Sequence, residues 1–299
     1  MRRSVRRKTN SRWWRRLGGW LYVLPALAAY LLVVIIPTAQ SVWYSFWNWS
    51  GVGAATWAGL GNYIAFFTDP QLMQALQHTL VFVVFYSILP IVLGLVSAAL
   101  VSRSRVRGAG VFRTIIFLPQ VLTSVVIVVM WNELFGSNGL VNSALEAVGL
   151  GSLAQPWLGS FQWALPVLGL AGTWTTMGLC MLLFVAGVGN IPAELYDAAR
   201  VDGAGAVREF FTVTLPGLMP QLAVALTLTV IGALRVFDLV WLTTHGGPGD
   251  ATITPSLLLY QTAFTNGSVG GAAAIGVSLA IVSTLIALGI VAISDRRTA

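Results

Sequence analysis

Six long apolar runs divide this chain, and shorter polar segments separate them. A helix needs about 20 apolar residues to cross the hydrocarbon core of a bilayer. The pattern therefore predicts an all-α integral membrane protein with six spans, at about 18–41, 79–101, 113–135, 163–188, 217–242 and 271–294. The predicted organisation is a basic N-terminal segment, 1–17, a six-span domain, 18–294, with a polar loop at 189–216, and a tail, 295–299.

Prolines fall in or near most of these runs. They are Pro25, Pro90, Pro119, Pro166 and Pro220. A membrane bundle tolerates such interruptions where neighbouring helices satisfy the carbonyls that a proline frees. We therefore expect kinked spans, which can help to shape a cavity.

The composition places most of the chain in lipid. Of the 299 residues, 57% are hydrophobic and 9% are charged, whereas a typical soluble domain carries about 25% charged residues. The net charge of +7 would suit nucleic acid, but eight of the 17 basic residues precede the first apolar run. Their position argues for a role in topology, and no nucleic-acid partner is expected.

The positions of the basic residues predict the orientation, because cytoplasmic loops are enriched in lysine and arginine. Sixteen of the 17 lie before the first run, between the second and third runs, in the polar loop and in the tail. Both termini and the polar loop are therefore predicted to be cytoplasmic. The first run is longer than the core of a usual signal peptide, so we expect a retained span. The basic segment before it can also contact anionic membrane lipid.

The chain lacks the residues that several kinds of chemistry require. Lys8 is its only lysine, and a Walker A loop needs a lysine that reaches the terminal phosphates. The two histidines form no HExxH pattern, and the single cysteine, Cys180, lies within an apolar run. We therefore expect no catalytic site, no metal and no cofactor in this chain.

The polar loop combines charge with helix-forming residues. Pro192 suits a first helical turn, where its missing N–H costs nothing. Asp202-Gly203 marks a turn in which glycine can take a positive φ. A second short helix is expected to end at Leu215-Pro216, where the fifth span starts. The pattern predicts a helix–turn–helix projection across the cytoplasmic mouth; an amphipathic connector on the membrane surface is the alternative.

Part of this loop, "DAARVDGAGAVREFFTVTLP", resembles the EAA motif of permease subunits of binding-protein-dependent ABC importers. That motif reads E-A-A, three residues, G, nine residues, I-x-L-P. Here the anchors are Asp197-Ala198-Ala199, Gly203 and 213–216, at the same spacing and with Asp for Glu and Val for Ile. Other stretches, including "VFDLVWLTTHGGPGDAT", resemble the sugar-importer branch, with its maltose-permease F-like and glycerol-3-phosphate-permease A-like subunits.

The resemblance implies a type I ABC importer transmembrane domain of six helices with a cytoplasmic coupling helix, in a bacterial or archaeal cytoplasmic membrane. It implies four partners: a second, maltose-permease G-like permease, two ATPase subunits and an extracytoplasmic solute-binding protein. ATP and Mg²⁺ are expected in the ATPase subunits. A stand-alone secondary transporter, which would usually show paired intramembrane carboxylates or inverted repeats, and a membrane scaffold are alternatives of other classes.

The resemblance also implies roles for residues of the motif. Asp197 is expected to pair with a basic residue of the ATPase, and Ala198 and Ala199 to permit a close fit. Gly203 is expected to set the turn angle. The further coupling residues that we predict are Asp202, Leu215 and Pro216.

The family's solute site implies candidates on the spans that flank the loop. Matching without gaps from the motif points to Thr176, Leu179, Thr229, Gly232, Ala233 and Val236. The aromatic and amide residues of the maltose permease are not kept at these positions, so the solute differs or the partner permease supplies most contacts. A sugar or oligosaccharide is favoured, and glycerol-3-phosphate or another polyol-type solute is the alternative.

Arg235 is the one basic residue predicted inside a span. Charges in lipid mark function by default. Asp238 follows three residues later, on the same face if the helix is continuous. A local ion pair or snorkelling and a solute or gate role both remain open for these two residues.

Overall fold

A computed structural model describes residues 22–103 and 108–298, except for the side chains of 102, 103 and 295–298. The predicted basic segment 1–17, the first residues of the predicted first span and Ala299 lie outside the described residues, as do positions 104–107 of the second basic cluster.

The described chain is built almost entirely of helices, in agreement with the predicted all-α class. Two strands of two residues each pair antiparallel, with Trp47 opposite Trp57. In chain order the elements are α1 (Tyr22–Tyr44), β1 (Trp47–Asn48), β2 (Thr56–Trp57), α2 (Gly61–Thr68), α3 (Pro70–Val101), α4 (Ala109–Val121), α5 (Ser124–Phe135), α6 (Leu140–Ala147), α7 (Ala164–Val188), α8 (Ala193–Val201), α9 (Ala206–Gly217), α10 (Met219–Leu234), α11 (Asp238–Thr243), α12 (Pro255–Tyr260) and α13 (Val269–Thr298).

Several of these helices are long enough to cross a membrane. Five segments of the described chain qualify by length and composition: Tyr22–Tyr44, Pro70–Val101, Ser124–Ala147, Ala164–Val188 and Val269–Ser294. A sixth is obtained if α9 and α10, which meet at an angle of 70°, form one span. Four of the five segments overlap predicted spans closely, and the six-span count stays a prediction.

Two of the predicted spans are not single helices, so those predictions are wrong in detail. The predicted third span, 113–135, is interrupted between α4 and α5, where Leu122 and Thr123 are extended. The predicted fifth span, 217–242, is interrupted between α10 and α11. Side chains of α12 and the loop before it cover this second break: Thr254 Oγ1 donates to Val236 O at 2.9 Å. A break inside an apolar region is possible because such contacts satisfy the freed carbonyls.

Three helices accommodate an internal proline by widening the turn before it. The π-helical turns at Leu31–Ile35, Val84–Ile88 and Phe210–Thr214 each end two residues before a proline. A proline lacks an N–H and its ring clashes with the carbonyl four residues earlier, and a wider turn relieves that contact. In α3, the Phe85 carbonyl accepts a hydrogen bond of 2.6 Å from Thr173 Oγ1 of α7. The proline therefore leaves α3 helical.

The core lies around α7, which packs against α3. Its fully buried side chains include Cys180, Met181 and Phe184. A Cβ on Gly94 of α3 would lie 2.7 Å from Cys180 Cβ, so the two helices are in close contact there. Helix α1 is different, because none of its 18 most apolar residues is buried by the described chain.

A loop between α11 and α12 closes over the start of α3; we call residues 244–254 the rim loop. Gln71 Nε2 donates to Asp250 Oδ2 at 2.9 Å, and His78 Nδ1 lies 2.9 Å from Ile253 O. Thr252 and Ile253 are completely buried. The rim loop is therefore held by the chain's own side chains.

Candidate functional site: the coupling loop and a cavity at the end of α10

Helix α8 ends in a tight left-handed turn. We call residues 189–217, which include α8 and this turn, the coupling loop. Gly203 has φ +75°, Gly203 N–H donates to Arg200 O at 3.0 Å, and Ala204 N–H donates to Ala199 O at 2.9 Å. This pair of bonds is the Schellman motif, which satisfies the last carbonyls of a helix and usually places glycine at this position. The turn expected at Asp202-Gly203 is therefore present.

Helix α8 exposes both charge and apolar surface. The side chain of Asp197 is 72% exposed, and Leu195 and Val201 of the same helix are also exposed. Ala198 is exposed and Ala199 half-buried, so little side-chain bulk covers this part of the backbone.

The structure corrects the sequence analysis on where this loop ends. Leu215 and Pro216 do not break the second helix, because the π-helical turn at Phe210–Thr214 accommodates the proline and α9 continues to Gly217. The chain bends at Leu218 (φ −93°, ψ 2°), whose side chain is buried. Leu215 is half-buried and Pro216 exposed. These two residues thus belong to a rigid segment just before the bend.

One arginine connects the two helices of the coupling loop. Arg200 Nη1 lies 3.3 Å from Asp197 Oδ1 on its own helix, and Arg200 Nε lies 3.2 Å from Glu209 Oε2 on α9. A second polar contact joins Tyr196 OH to Thr214 Oγ1 at 3.2 Å. The orientation of α8 relative to α9 therefore depends on polar contacts.

A cavity of about 450 Å³ lies at the end of α10, where the helix breaks. Its volume is within the range of small-ligand sites, about 300–1,000 Å³. Both polar and apolar groups line it, including Tyr86, Ser124, Arg235, Phe237 and Asp238. It therefore offers groups that can bind a polar solute.

The break places Arg235 and Asp238 in this cavity without pairing them. Helix α10 ends at Leu234 and α11 begins at Asp238, so the helical spacing expected for a local ion pair does not exist. Within the described part of the chain, no ion pair joins the two side chains. Asp238 Oδ2 instead lies 3.4 Å from the Ser124 hydroxyl, which donates to it.

The predicted solute-path residues fall into two groups. Gly232, Arg235, Val236 and Asp238 line the cavity. Thr229 and Ala233 are buried in the packing of α10, and Thr229 Oγ1 lies 2.7 Å from Ser87 Oγ. Thr176 and Leu179 on α7 are half-buried and lie outside the lining of this cavity. The structure thus brings half of the predicted set together.

Sequence reasoning missed other residues of the lining. Tyr86 on α3, Ser124 on α5 and Thr175 on α7 border the cavity. Matching from the motif reached only the two spans beside the coupling loop, so it could not find α3 and α5.

Residues 90–299 match the family described as the inner-membrane component of binding-protein-dependent transport systems. The match covers more than half of the chain, so this protein belongs to that family. It is a membrane protein and one component of a multi-component transport system. In the part of the chain that the structure describes, no group of three or more His, Cys, Asp or Glu side chains could hold a metal ion.

Curated relatives are similar over most of their length. The chain is 35% identical over 272 residues to the probable ABC transporter permease protein YurN of Bacillus subtilis, covering 90% of this chain and 93% of that one. It is 33% identical to the lactose transport system permease protein LacF of Rhizobium radiobacter, covering 83% and 84%. It is 35% identical to the trehalose/maltose transport system permease protein MalF of Thermococcus litoralis, covering 81% and 82%. These relatives are permease subunits, not enzymes.

A solved structure has the same fold. A chain of a bacterial ABC transporter involved in the import of the acidic polysaccharide alginate superposes with a TM-score of 0.81 at 24% identity, covering 97% of this chain and all of that one. The breaks in the helices thus occur within the transmembrane fold of an ABC importer.

Proposed function

We propose that this chain is one of two permease subunits of an ATP-driven carbohydrate importer, and that it forms half of the transmembrane path. The similarity to the lactose and the trehalose/maltose permeases supports a sugar or oligosaccharide as the solute. The lactose permease is 33% identical to this chain over 250 residues. Both termini are on the cytoplasmic side in this proposal.

The coupling loop docks on the ATPase in this proposal, and the exposure of α8 is the observation that carries it. Asp197 and the apolar side chains around it are accessible to a partner. The pair of Asp197 with Arg200 is mostly exposed, and such pairs contribute only about 0–1 kcal/mol. Asp197 is therefore able to exchange Arg200 for a basic ATPase residue. The turn at Gly203 presents Ala198, Ala199 and Asp202 beside it, and Leu215 and Pro216 carry the connection toward α10.

The cavity at the end of α10 holds part of the solute in this proposal. Arg235 and Asp238 supply donors and acceptors that can bind sugar hydroxyls, and Tyr86 and Phe237 supply aromatic surface. Since only Gly232, Arg235, Val236 and Asp238 of the predicted path line the cavity, the second permease contributes the remaining contacts. An Arg235→Gln variant is expected to lower uptake several-fold without releasing the ATPase, because charge-assisted hydrogen bonds are about twice as strong as neutral ones.

The partners follow from the same proposal. They are a maltose-permease G-like second permease, two ATPase subunits that hold ATP and Mg²⁺, and an extracytoplasmic solute-binding protein that delivers the solute. The coupling loop must make different contacts in the two states of the cycle, since a partner with equal affinity for both states shifts neither.

The test is reconstitution of the complex in proteoliposomes. The chain, its second permease and the ATPase are purified together, and uptake of radiolabelled mono-, di- and oligosaccharides and of glycerol-3-phosphate is measured with the binding protein present. Uptake of a sugar that needs both ATP and the binding protein supports the proposal. Uptake of glycerol-3-phosphate alone favours the alternative solute. Uptake that follows an ion gradient without ATP would contradict the proposal and favour a secondary transporter.

A further inference from the structure

Arg200 holds two carboxylates that differ in burial. The side chain of Asp197 is 72% exposed, whereas that of Glu209 is 7% exposed. An exposed ion pair is screened by water and weak. Glu209 is shielded from water, whereas the Arg200 side chain is 60% exposed. The contact of Arg200 with Glu209 is therefore screened less than its contact with Asp197.

The space between α8 and α9 is not filled by apolar packing. A cavity of about 460 Å³ lies there, and its lining includes Tyr196, Arg200, Glu209, Phe210 and Thr214. Two polar contacts cross beside this cavity, Arg200 with Glu209 and Tyr196 with Thr214. Displacement of α8 by a partner can thus reach α9 through directed side-chain contacts as well as through the turn at Gly203.

Helix α9 leads directly to the solute cavity. It bends by 70° into α10, and the buried Leu218 at the bend packs close to Gly187 of α7, where a Cβ would lie 2.5 Å from Leu218 Cδ2. Helix α10 then ends at Leu234, and the next residue, Arg235, lines the cavity. Helix α8, helix α9 and helix α10, whose end borders the cavity, are therefore consecutive in the chain.

From this geometry we infer that Arg200 is a positioning residue, which through Glu209 transmits the displacement of α8 to α9. It is needed for coupled movement and not for docking of the ATPase. The inference rests on the proposed function. The nearby Arg208 serves as a matched control, because it carries the same charge in the same loop and its side chain is exposed.

The experiment uses the reconstituted complex and measures three quantities for each variant: ATPase retained on purification, ATP hydrolysis, and solute taken up per ATP hydrolysed. Arg200→Gln is expected to retain the ATPase and its hydrolysis but to lower the uptake per ATP by about tenfold, because the charge-assisted contact with Glu209 is lost. Arg208→Gln is expected to leave all three quantities unchanged. Arg200→Lys keeps the charge but loses the planar guanidinium, whose several N–H groups can contact both carboxylates. Its uptake per ATP is expected to lie between those of Arg200→Gln and the unmodified complex.

A double variant tests whether the two residues act as a unit. Residues in one ion-pair network have non-additive effects, so the loss in the combined Arg200→Gln and Glu209→Gln variant is expected to be smaller than the product of the two single losses. Unchanged uptake per ATP in Arg200→Gln, purely multiplicative effects in the double variant, or loss of the ATPase on purification would each overturn the inference. Absence of ATP-dependent uptake by the unmodified complex would instead overturn the proposed function, so the two failures are distinguishable.

Discussion

The coupling loop and the rim loop both turn on glycines with positive φ, but they are built in opposite ways. Gly203 in the coupling loop has φ +75°, and among the described residues no atom beyond its chain neighbours lies within 4 Å of the place a Cβ would take. Gly246 in the rim loop has φ +94°, and the corresponding distance to Leu257 Cδ2 is 2.9 Å. The first glycine serves the backbone alone, whereas the second also permits close packing.

The surroundings of the two loops differ in the same sense. Thr252, Ile253 and Thr254 of the rim loop are at most 1% exposed. Val201 and Val207 of the coupling loop are 88% and 72% exposed. The comparison teaches that glycine marks a turn in both places, while exposure distinguishes a loop that the chain's own residues cover from one whose side chains stay accessible.

The largest expected effect is loss of folded protein on substitution of Gly246 by valine. A side chain with this φ costs about 1–2 kcal/mol, and overpacking against Leu257 adds about 1–3 kcal/mol. Size-exclusion chromatography in detergent is expected to show much less monodisperse permease. A normal yield and melting temperature would contradict the difference drawn between the two loops, because the rim loop would then not be tightly packed around Gly246.

The next effect is expected for Asp197→Arg, which reverses a charge on the exposed face of α8. Like charges across an interface repel, with an expected cost of several kcal/mol, so ATP-dependent uptake is expected to fall at least about tenfold. Folded yield is expected to stay normal because the side chain is mostly exposed. Asp197→Glu, which restores the residue of the family motif, serves as the control and is expected to transport normally. Normal uptake by Asp197→Arg would contradict the docking role.

A smaller effect is expected for Gly203→Val, because space is free and only the backbone is strained, by about 1–2 kcal/mol. Uptake is expected to fall several-fold while the folded yield changes little. Gly203→Asn is the matched variant, since asparagine tolerates the left-handed region better than valine. Equal losses in the two variants would show that the turn conformation is not the cause.

The smallest effect on uptake is expected for Thr252→Val in the rim loop. Thr252 Oγ1 donates to Gly247 O at 2.9 Å and lies 2.7 Å from Thr244 Oγ1, and loss of these contacts is expected to cost about 1–3 kcal/mol in stability. A thermal shift assay is expected to show a melting temperature lower by about 2–4 °C per kcal/mol for a chain of this size. Uptake per folded molecule should not change; a loss of uptake without a thermal shift would mean that the rim loop contacts a partner.

Local pattern was sufficient for several elements. Helix α7 was predicted at 163–188 and is observed at Ala164–Val188, because an apolar helix that ends at Gly189-Asn190 leaves little choice of boundary. The left-handed turn at Gly203 was predicted for a similar reason, since a glycine after an acidic residue between two helical patterns is a local signal.

The breaks in the helices could not be predicted in the same way. Leu122-Thr123 and Val236-Phe237 are apolar or neutral, so their composition is that of a continuous span. They are broken because contacts distant in sequence satisfy the freed backbone, as Thr254 does for the Val236 carbonyl. Of the two interpretations left open for Arg235 and Asp238, the local ion pair required a continuous helix, and the break separates the two residues.

The sequence by itself determined the membrane class, the family and the turn of the coupling loop. The membrane class follows from the hydrophobicity of the chain, and the family and the turn follow from residues at fixed local spacing. The absence of a Walker A lysine excluded a nucleotide-binding loop of that kind. Only the tertiary structure decided which candidate residues border the cavity, where α9 ends and how Arg200 links α8 to Glu209. Those features depend on contacts between segments that are far apart in the sequence or lie on opposite sides of a turn. The local sequence pattern does not reveal the free energy of such contacts.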